Sequence, residues 1–225
     1  MKIVFCLPGR QYSNNFLVSW TMVLVNCIKN GHEVIISQNY SSVVHFARAL
    51  CLGGDVLAGI TQKPFQGKLD YDLIFWIDSD MVFSDVEFNK ILESPHQITS
   101  GLYRMANATH FAVVKEWDTE YFKENGSFKF LSVEDMKKYK ENKEAPRYME
   151  VDYAGMGWMA IKKGVIENIK YPWFYRPAYK MDKDGVIISD MLSEDVSFCK
   201  NLQEAGYQIM LDTEVIVGHE KPIVL

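Results

Sequence analysis

The stretch YDLIFWIDSDMVFS, residues 71–84, decides how this chain is read. Leu73, Ile74, Phe75, Trp76 and Ile77 form a continuous apolar run too short for a core helix, the profile of a strand buried on both faces. Two carboxylates, Asp78 and Asp80, follow at its C-terminal end. Aspartates are common turn formers, so the pair fits a solvated turn. Hard oxygen ligands one residue apart also suit Mg²⁺ or Mn²⁺. Ser84 and Glu87 then spell a capping box, which predicts a helix after the turn.

Upstream, KIVFCL (2–7) is another such run, closed by Pro8-Gly9-Arg10. A helix is predicted from Ser13 or Asn14 to Gly31, with Phe16, Trp20, Leu24, Cys27 and Ile28 on its buried face. HEVIIS (32–37) reads as a strand, and SSVVHFARALCLGG (41–54) as a helix stopped by glycine. Strand and helix thus alternate three times, the signature of a parallel sheet covered on both faces. Right-handed crossovers place the C-terminal ends of such strands on one edge, where ligands bind. Pro8-Gly9-Arg10, Ser37-Gln38 and Asp78-Ser79-Asp80 are predicted to meet there.

The second half is less regular. Segments 96–103, 110–117 and 147–163 read as strands, which makes the sheet mixed. Residues 132–146 read as a charged helix or lid, within a charged segment from Lys115 to Arg147 that is either a mobile lid or a solvated excursion, and 171–185 as an aromatic loop. A helix capped by Ser193 and closed by Gly206 leads into QIMLD (208–212) and then VIVGH (215–219), a buried apolar run that delivers an imidazole.

Composition narrows the function. A 225-residue chain that is 48% hydrophobic and 24% charged suits one soluble domain. Its formal charge of −5 weighs against a nucleic-acid partner, which is gripped by clustered Lys and Arg. No signal peptide precedes Pro8, and no apolar run approaches the ~18 residues of a membrane span. Cys6, Cys27, Cys51 and Cys199 form no CxxC pair and read as reduced core residues of a cytoplasmic protein.

Segments 73–83 (LIFWIDSDMVF), 151–165 (VDYAGMGWMAIKKGV) and 193–221 (SEDVSFCKNLQEAGYQIMLDTEVIVGHEK), in that order, resemble the GT-A glycosyltransferases, which transfer a sugar from a nucleotide donor. More loosely, the whole is similar to the amino-terminal glycosyltransferase domains of multidomain chlorella-virus proteins, which would set it in the host cytoplasm. The resemblance implies an α/β, Rossmann-like GT-A single domain over 1–225. Its N-terminal half is parallel, its centre mixed, and helices cover both faces. A nucleotide-binding half (1–103) precedes an acceptor-binding half (104–225). The ending soon after His219 fits a domain cut from a longer chain, with further domains beyond it.

By the same resemblance, Asp80 coordinates Mn²⁺ (or Mg²⁺) directly, Asp78 binds the metal or the ribose hydroxyls, and His219 completes the ligands. A mixed carboxylate and imidazole set leans towards Mn²⁺. Pro8 and Gly9 approach the base, most commonly uracil, with Ser79 between the two aspartates. Arg10 and Arg48 meet the diphosphate, although Arg10 also fits a solvated surface position. Asp195 first, and Glu194 second, act at the reacting centre: as general base in inverting relatives, or as stabiliser or nucleophile in retaining ones. Carboxylates at a helix start also simply favour its dipole. Gly155-Met156-Gly157-Trp158 brings backbone close to the donor sugar or acceptor, or forms a bulge. Trp158, Trp173, Phe174 and Tyr175 stack on an acceptor sugar or fill the core. The expected partners are a nucleotide-sugar donor and a glycan or glycoprotein acceptor, for a hexosyl- or deoxyhexosyltransferase.

Two rivals use the same residues. DSDMV (78–82) fits the DxDxV pattern of haloacid-dehalogenase-type phosphatases, whose first Asp is a nucleophile; there the motif follows the first strand, here the third. A catalytically silent nucleotide-sugar-binding module would share the fold without the chemistry of Glu194 and Asp195.

Overall fold

The computed structural model describes residues 1–221. In chain order the elements are β1 (Lys2–Pro8), α1 (Asn14–Lys29), β2 (Glu33–Asn39), α2 (Val44–Cys51), β3 (Leu73–Ile77), β4 (Met81–Val82) and α3 (Asp85–Leu92). Then come β5 (Ile98–Leu102), β6 (His110–Val114), α4 (Thr119–Asn125), β7 (Phe130–Ser132), α5 (Val133–Glu141), β8 (Tyr148–Val151), β9 (Tyr153–Ala154) and β10 (Trp158–Lys162). β11 (Tyr179–Lys183), β12 (Val186–Asp190), α6 (Glu194–Glu204), β13 (Ile209–Ile216) and β14 (Gly218–His219) complete the list.

Seven strands form one sheet in the order β2-β1-β3-β10-β5-β13-β8. β2, β1 and β3 pair in parallel, and β13 is parallel to β5. β10 runs antiparallel between β3 and β5, and β8 closes the far edge antiparallel to β13. The C-terminal ends of β1, β2 and β3 therefore share one edge, as the alternating pattern predicts. Small accessory sheets, β7-β6-β9, β11-β12 and β14-β4, lie outside it.

The pleat of each central strand feeds two cores, because alternate side chains point to opposite faces. Ile3, Phe5, Phe75 and Ile77 join Phe16, Val23 and Cys27 of α1 and Phe88 and Ile91 of α3. Val4, Cys6, Ile74 and Trp76 join Cys51 of α2 and Phe198, Cys199 and Leu202 of α6. Phe75 touches Phe5, Phe88 and Trp158 at centroid distances of 5.9, 5.3 and 4.8 Å. Burying one such ring contributes about 2–3 kcal/mol. The caps at Ser13, Ser84 and Ser193 all form.

Four expectations are corrected. The buried face of α1 is Phe16, Ser19, Val23 and Cys27, while Ile28 is 72% exposed, because the helix is rotated to put Ser19 under the β4 turn. The expected aromatic loop, 171–185, ends in β11, the first strand of the β11–β12 hairpin. In VIVGH, Val215 and Val217 are buried but Ile216 is exposed, the alternation of a strand covered on one side. The stacking reading is corrected for Trp158, Trp173 and Phe174, which fill the core as the alternative reading held; only Tyr175 of that set is exposed. All four cysteines are buried free thiols. Among the described residues no helix is long and apolar enough to cross a membrane.

Candidate active site

Three loops meet at the C-terminal edge of β1, β2 and β3. The Gly9 N–H donates to the Asn39 carbonyl at 2.9 Å, and the Gln38 amide donates to the Gly9 carbonyl. Tyr12 closes the first loop, donating from its hydroxyl to the Leu7 carbonyl at 3.0 Å. Gly9 has φ +150°, and a Cβ there would stand 3.0 Å from the Ser79 Cβ. Glycine thus lets the first loop lie against the aspartate turn. Pro8 is buried beneath it, and Arg10 is exposed with its guanidinium 4.8 Å over the Tyr40 ring.

The two aspartates of the turn face different cations. Asp78, whose N–H donates to the Gly157 carbonyl at 3.1 Å, turns towards Arg48. The guanidinium approaches both carboxylate oxygens, at 3.0 and 3.1 Å, and its Nε lies 3.3 Å from Glu194. Arg48 is only 2% exposed and sits 5.6 Å over Trp76. Burial works against its charge, but Asp78, Glu194 and Asp195 outweigh it and raise the pKa.

Asp80 turns the other way. The two-residue ladder of β4 with β14 brings His219 alongside, and the Glu220 N–H donates to the Asp80 carbonyl at 2.8 Å. His219 Nδ1 lies 2.7 Å from the Arg104 carbonyl, which leaves Nε2 3.1 Å from Asp80 Oδ2. Lys221 Nζ reaches the same oxygen at 2.6 Å. Burial alone would raise the Asp80 pKa; hydrogen bonds from His219 and Lys221 overcome it and bring it down to about 2. For His219, burial lowers the pKa, yet Asp80 and the Arg104 carbonyl win and raise it.

Glu194 and Asp195 open α6 between these groups. Glu194 is 12% exposed; burial, then Asp195, raise its pKa against the opposing pull of Arg48. Asp195 is held at both oxygens. The Ser193 hydroxyl donates to Oδ1 at 2.6 Å, and the Tyr153 hydroxyl donates to Oδ2 at 3.0 Å. Burial raises the Tyr153 pKa, with Asp195 adding to it, so the phenol stays protonated.

Segment 155–158 approaches a side chain instead of opening towards solvent. A Cβ on Gly155 would run into the Tyr103 hydroxyl, and one on Gly157 would stand 3.1 Å from both Met81 Sδ and the Tyr103 ring. The Gly157 N–H donates to that hydroxyl at 3.2 Å. Met156 and Trp158 are fully buried. Tyr103 in turn packs edge-on to His219, 5.1 Å between centroids. Tyr103, Tyr153 and Lys221 were not expected at the site; each arrives through contacts far apart in sequence, and no local pattern marks them.

Two donors of this corner stand close enough to share one divalent ion. Asp80 Oδ2 and His219 Nε2 are separated as neighbouring ligands of one Mn²⁺ or Mg²⁺ would be, since bonds of ~2.1 Å at right angles set ligand atoms about 3 Å apart. Asp78 does not join them, because Arg48 holds it. Among the described residues no group of three His, Cys, Asp or Glu is placed to hold an ion. Asp80 and His219 together could hold an ion completed by substrate and water oxygens.

No family model and no curated protein matches this sequence. Among solved structures, the chain is similar to A197 from STIV, with a TM-score of 0.53 and 15% identity over 100% of this chain and 97% of that one. It is also similar to GalNAc-T7 with UDP, GalNAc and Mn²⁺, with a TM-score of 0.48 and 10% identity over 99% of this chain and 44% of that one. The first likeness is one of fold, and the second is too distant to carry an argument. The chain is an α/β protein of GT-A-like architecture, with a parallel first half, a mixed central sheet and helices on both faces.

Proposed function

We propose that this chain is a metal-dependent glycosyltransferase that moves a sugar, hexosyl or deoxyhexosyl, from a nucleotide-diphosphate donor, most simply a UDP-sugar, to a hydroxyl of a glycan or glycoprotein. The observation that carries this reading is the turn at the end of β3. It sets Asp80 against His219 on one side and Asp78 against Arg48 on the other, beside a first loop made thin by Gly9. Residues 1–103 supply the donor side and 104–221 most of the acceptor side.

Asp80 and His219 would hold Mn²⁺ (or Mg²⁺), whose chemistry is that of a Lewis acid for the departing diphosphate. Lys221, on the same oxygen, yields that position when the site is loaded. Arg48 holds Asp78 in place at the edge, where its outer surface can accept from ribose hydroxyls. Pro8 and Gly9 leave room for the base, and the exposed Arg10 is free to swing towards the diphosphate with its planar fork. Glu194, whose proton affinity is raised, takes the proton of the attacking hydroxyl, and Asp195, clamped by Ser193 and Tyr153, faces the positive charge developing on the sugar. The buried free thiols suit a reducing compartment such as the cytoplasm.

The phosphatase reading requires Asp78 to be a free nucleophile, and its pairing with Arg48 argues against it. The test is calorimetry with UDP-, GDP- and CMP-sugars, with and without Mn²⁺. One donor is expected to bind only with the metal. Asp80→Ala should abolish that binding and cut turnover about a thousandfold, since one close charge pair is worth roughly 4 kcal/mol near a protein surface. Turnover undiminished in that variant refutes the assignment.

A further inference from the structure

A recess along α6 has no part in the donor corner. It is shallow, about 30 Å³, and Trp117, Phe128, Tyr179, Lys200, Asp118 and Asp190 are among the residues that line it. The Lys200 ammonium is 4.2 Å over the Trp117 ring and 5.7 Å over that of Tyr179. Burial, helped by Arg176, lowers its pKa. Among the described residues, no carboxylate pairs with this ammonium, so its N–H donors point at aromatic faces and open space.

Trp117 separates the recess from a broader groove of about 540 Å³ whose walls include Lys115, Lys129 and Phe130. Both run beside Tyr153. Trp117 and Phe130 stand 6.2 and 6.3 Å from the Tyr153 ring, whose hydroxyl holds Asp195. Leu192, on the recess wall, lies two residues before Glu194.

We infer that this recess and groove form the subsite for an uncharged oligosaccharide acceptor, an inference that rests on the function proposed above. Aromatic faces match the C–H face of a sugar ring. Ammonium donors and carboxylate acceptors at the rim supply both partners that hydroxyl groups need. A wholly apolar ligand would leave Lys200, Asp118 and Asp190 desolvated without partners. Carboxylates outnumber ammonium groups around the two openings, since Glu116, Glu120 and Asp135 also line the groove, so an acidic glycan is repelled.

The experiment probes an array of uncharged and acidic oligosaccharides with the full chain, in parallel with calorimetry of UDP, GDP and CMP in Mn²⁺. Uncharged oligosaccharides should be retained. Tyr179→Ala and Lys200→Met should each lower retention at least tenfold while nucleotide affinity stays as in the parent, which also shows that both variants are folded. Retention unaffected by both substitutions, retention of acidic glycans alone, or no retention by a protein that binds nucleotide overturns the subsite. Retention that depends on Tyr179 and Lys200 in a protein that binds no nucleotide supports the subsite and overturns the donor reading instead.

Discussion

Among the described residues two arginine–aspartate clusters stand out, and they differ in how deeply the cation is buried and how many carboxylates crowd it. At the far edge of the sheet, Arg147 donates to Asp212 from Nε at 3.1 and 3.2 Å and from Nη2 at 2.8 Å, and Nη2 also reaches the Lys90 carbonyl. Asp212 is fully buried. Arg147 meets one fully buried anion there, with the exposed Glu93 3.7 Å away as a second partner, and the contacts fasten β8, β13 and α3 together. At the mouth of β3, Arg48 meets Asp78 and Glu194 together, with Asp195 close by. Burying one cation among three carboxylates leaves negative charge uncompensated, a costly arrangement for stability alone. The surplus lies where ligands bind to a parallel sheet. A partly exposed cation on one buried anion marks the fastening, and a buried cation crowded by carboxylates marks the candidate site.

The largest expected effect separates the two clusters directly. Arg48→Met leaves two partly buried carboxylates without their cation, so stability should fall by about 3 kcal/mol in urea denaturation, with nucleotide binding lost. Arg147→Met should lower stability by about 3 kcal/mol, yet the folded fraction should bind nucleotide as before. Equal loss of binding in both variants would erase the distinction. Glu194→Gln comes next. Burial and Asp195 raise the folded pKa of Glu194, so its favourable contribution is complete only below the unfolded carboxylate value. That contribution is lost as pH rises through the folded pKa. Ionised Glu194 therefore costs stability at neutral pH, and the amide should raise the melting temperature at pH 7, a gain that shrinks near pH 4, while turnover falls. A lower melting temperature at pH 7 would mean that Glu194 belongs with the fastenings. The smallest effect is that of Tyr153→Phe, which removes one donor from Asp195. About 1 kcal/mol is at stake, so kcat should fall roughly fivefold with donor KM unchanged. An unaltered kcat would take Asp195 out of the chemistry.

The parallel first half is legible in the sequence because its signals are local. Continuous runs such as KIVFCL and LIFWI, serine caps and glycine stops each act within a few residues. The phase of α1 is not, since Trp20 and Leu24 are as apolar as the residues that are buried, and only packing under the β4 turn selects Ser19 and Val23. Where β10 inserts, between β3 and β5, is likewise a tertiary choice. At the site, the DxD spacing correctly points to the sheet edge, but not to the divergence of its two carboxylates. That divergence depends on Arg48, 30 positions before Asp78, and on His219, 139 positions after Asp80. The glycines at 155 and 157 mark a close approach, as expected, but the approaching group is Tyr103. A glycine announces room without naming what fills it.

The central claim is that Asp80 and His219 hold the divalent ion. Paramagnetic broadening of the histidine ring signals during a Mn²⁺ titration in the presence of UDP tests it most directly. His219 should broaden first, and His32 and His96, at the opposite edge of the sheet beside Met1, should stay sharp. Broadening that begins at another histidine, or a His219 signal that stays sharp at saturating Mn²⁺ and UDP, contradicts the account.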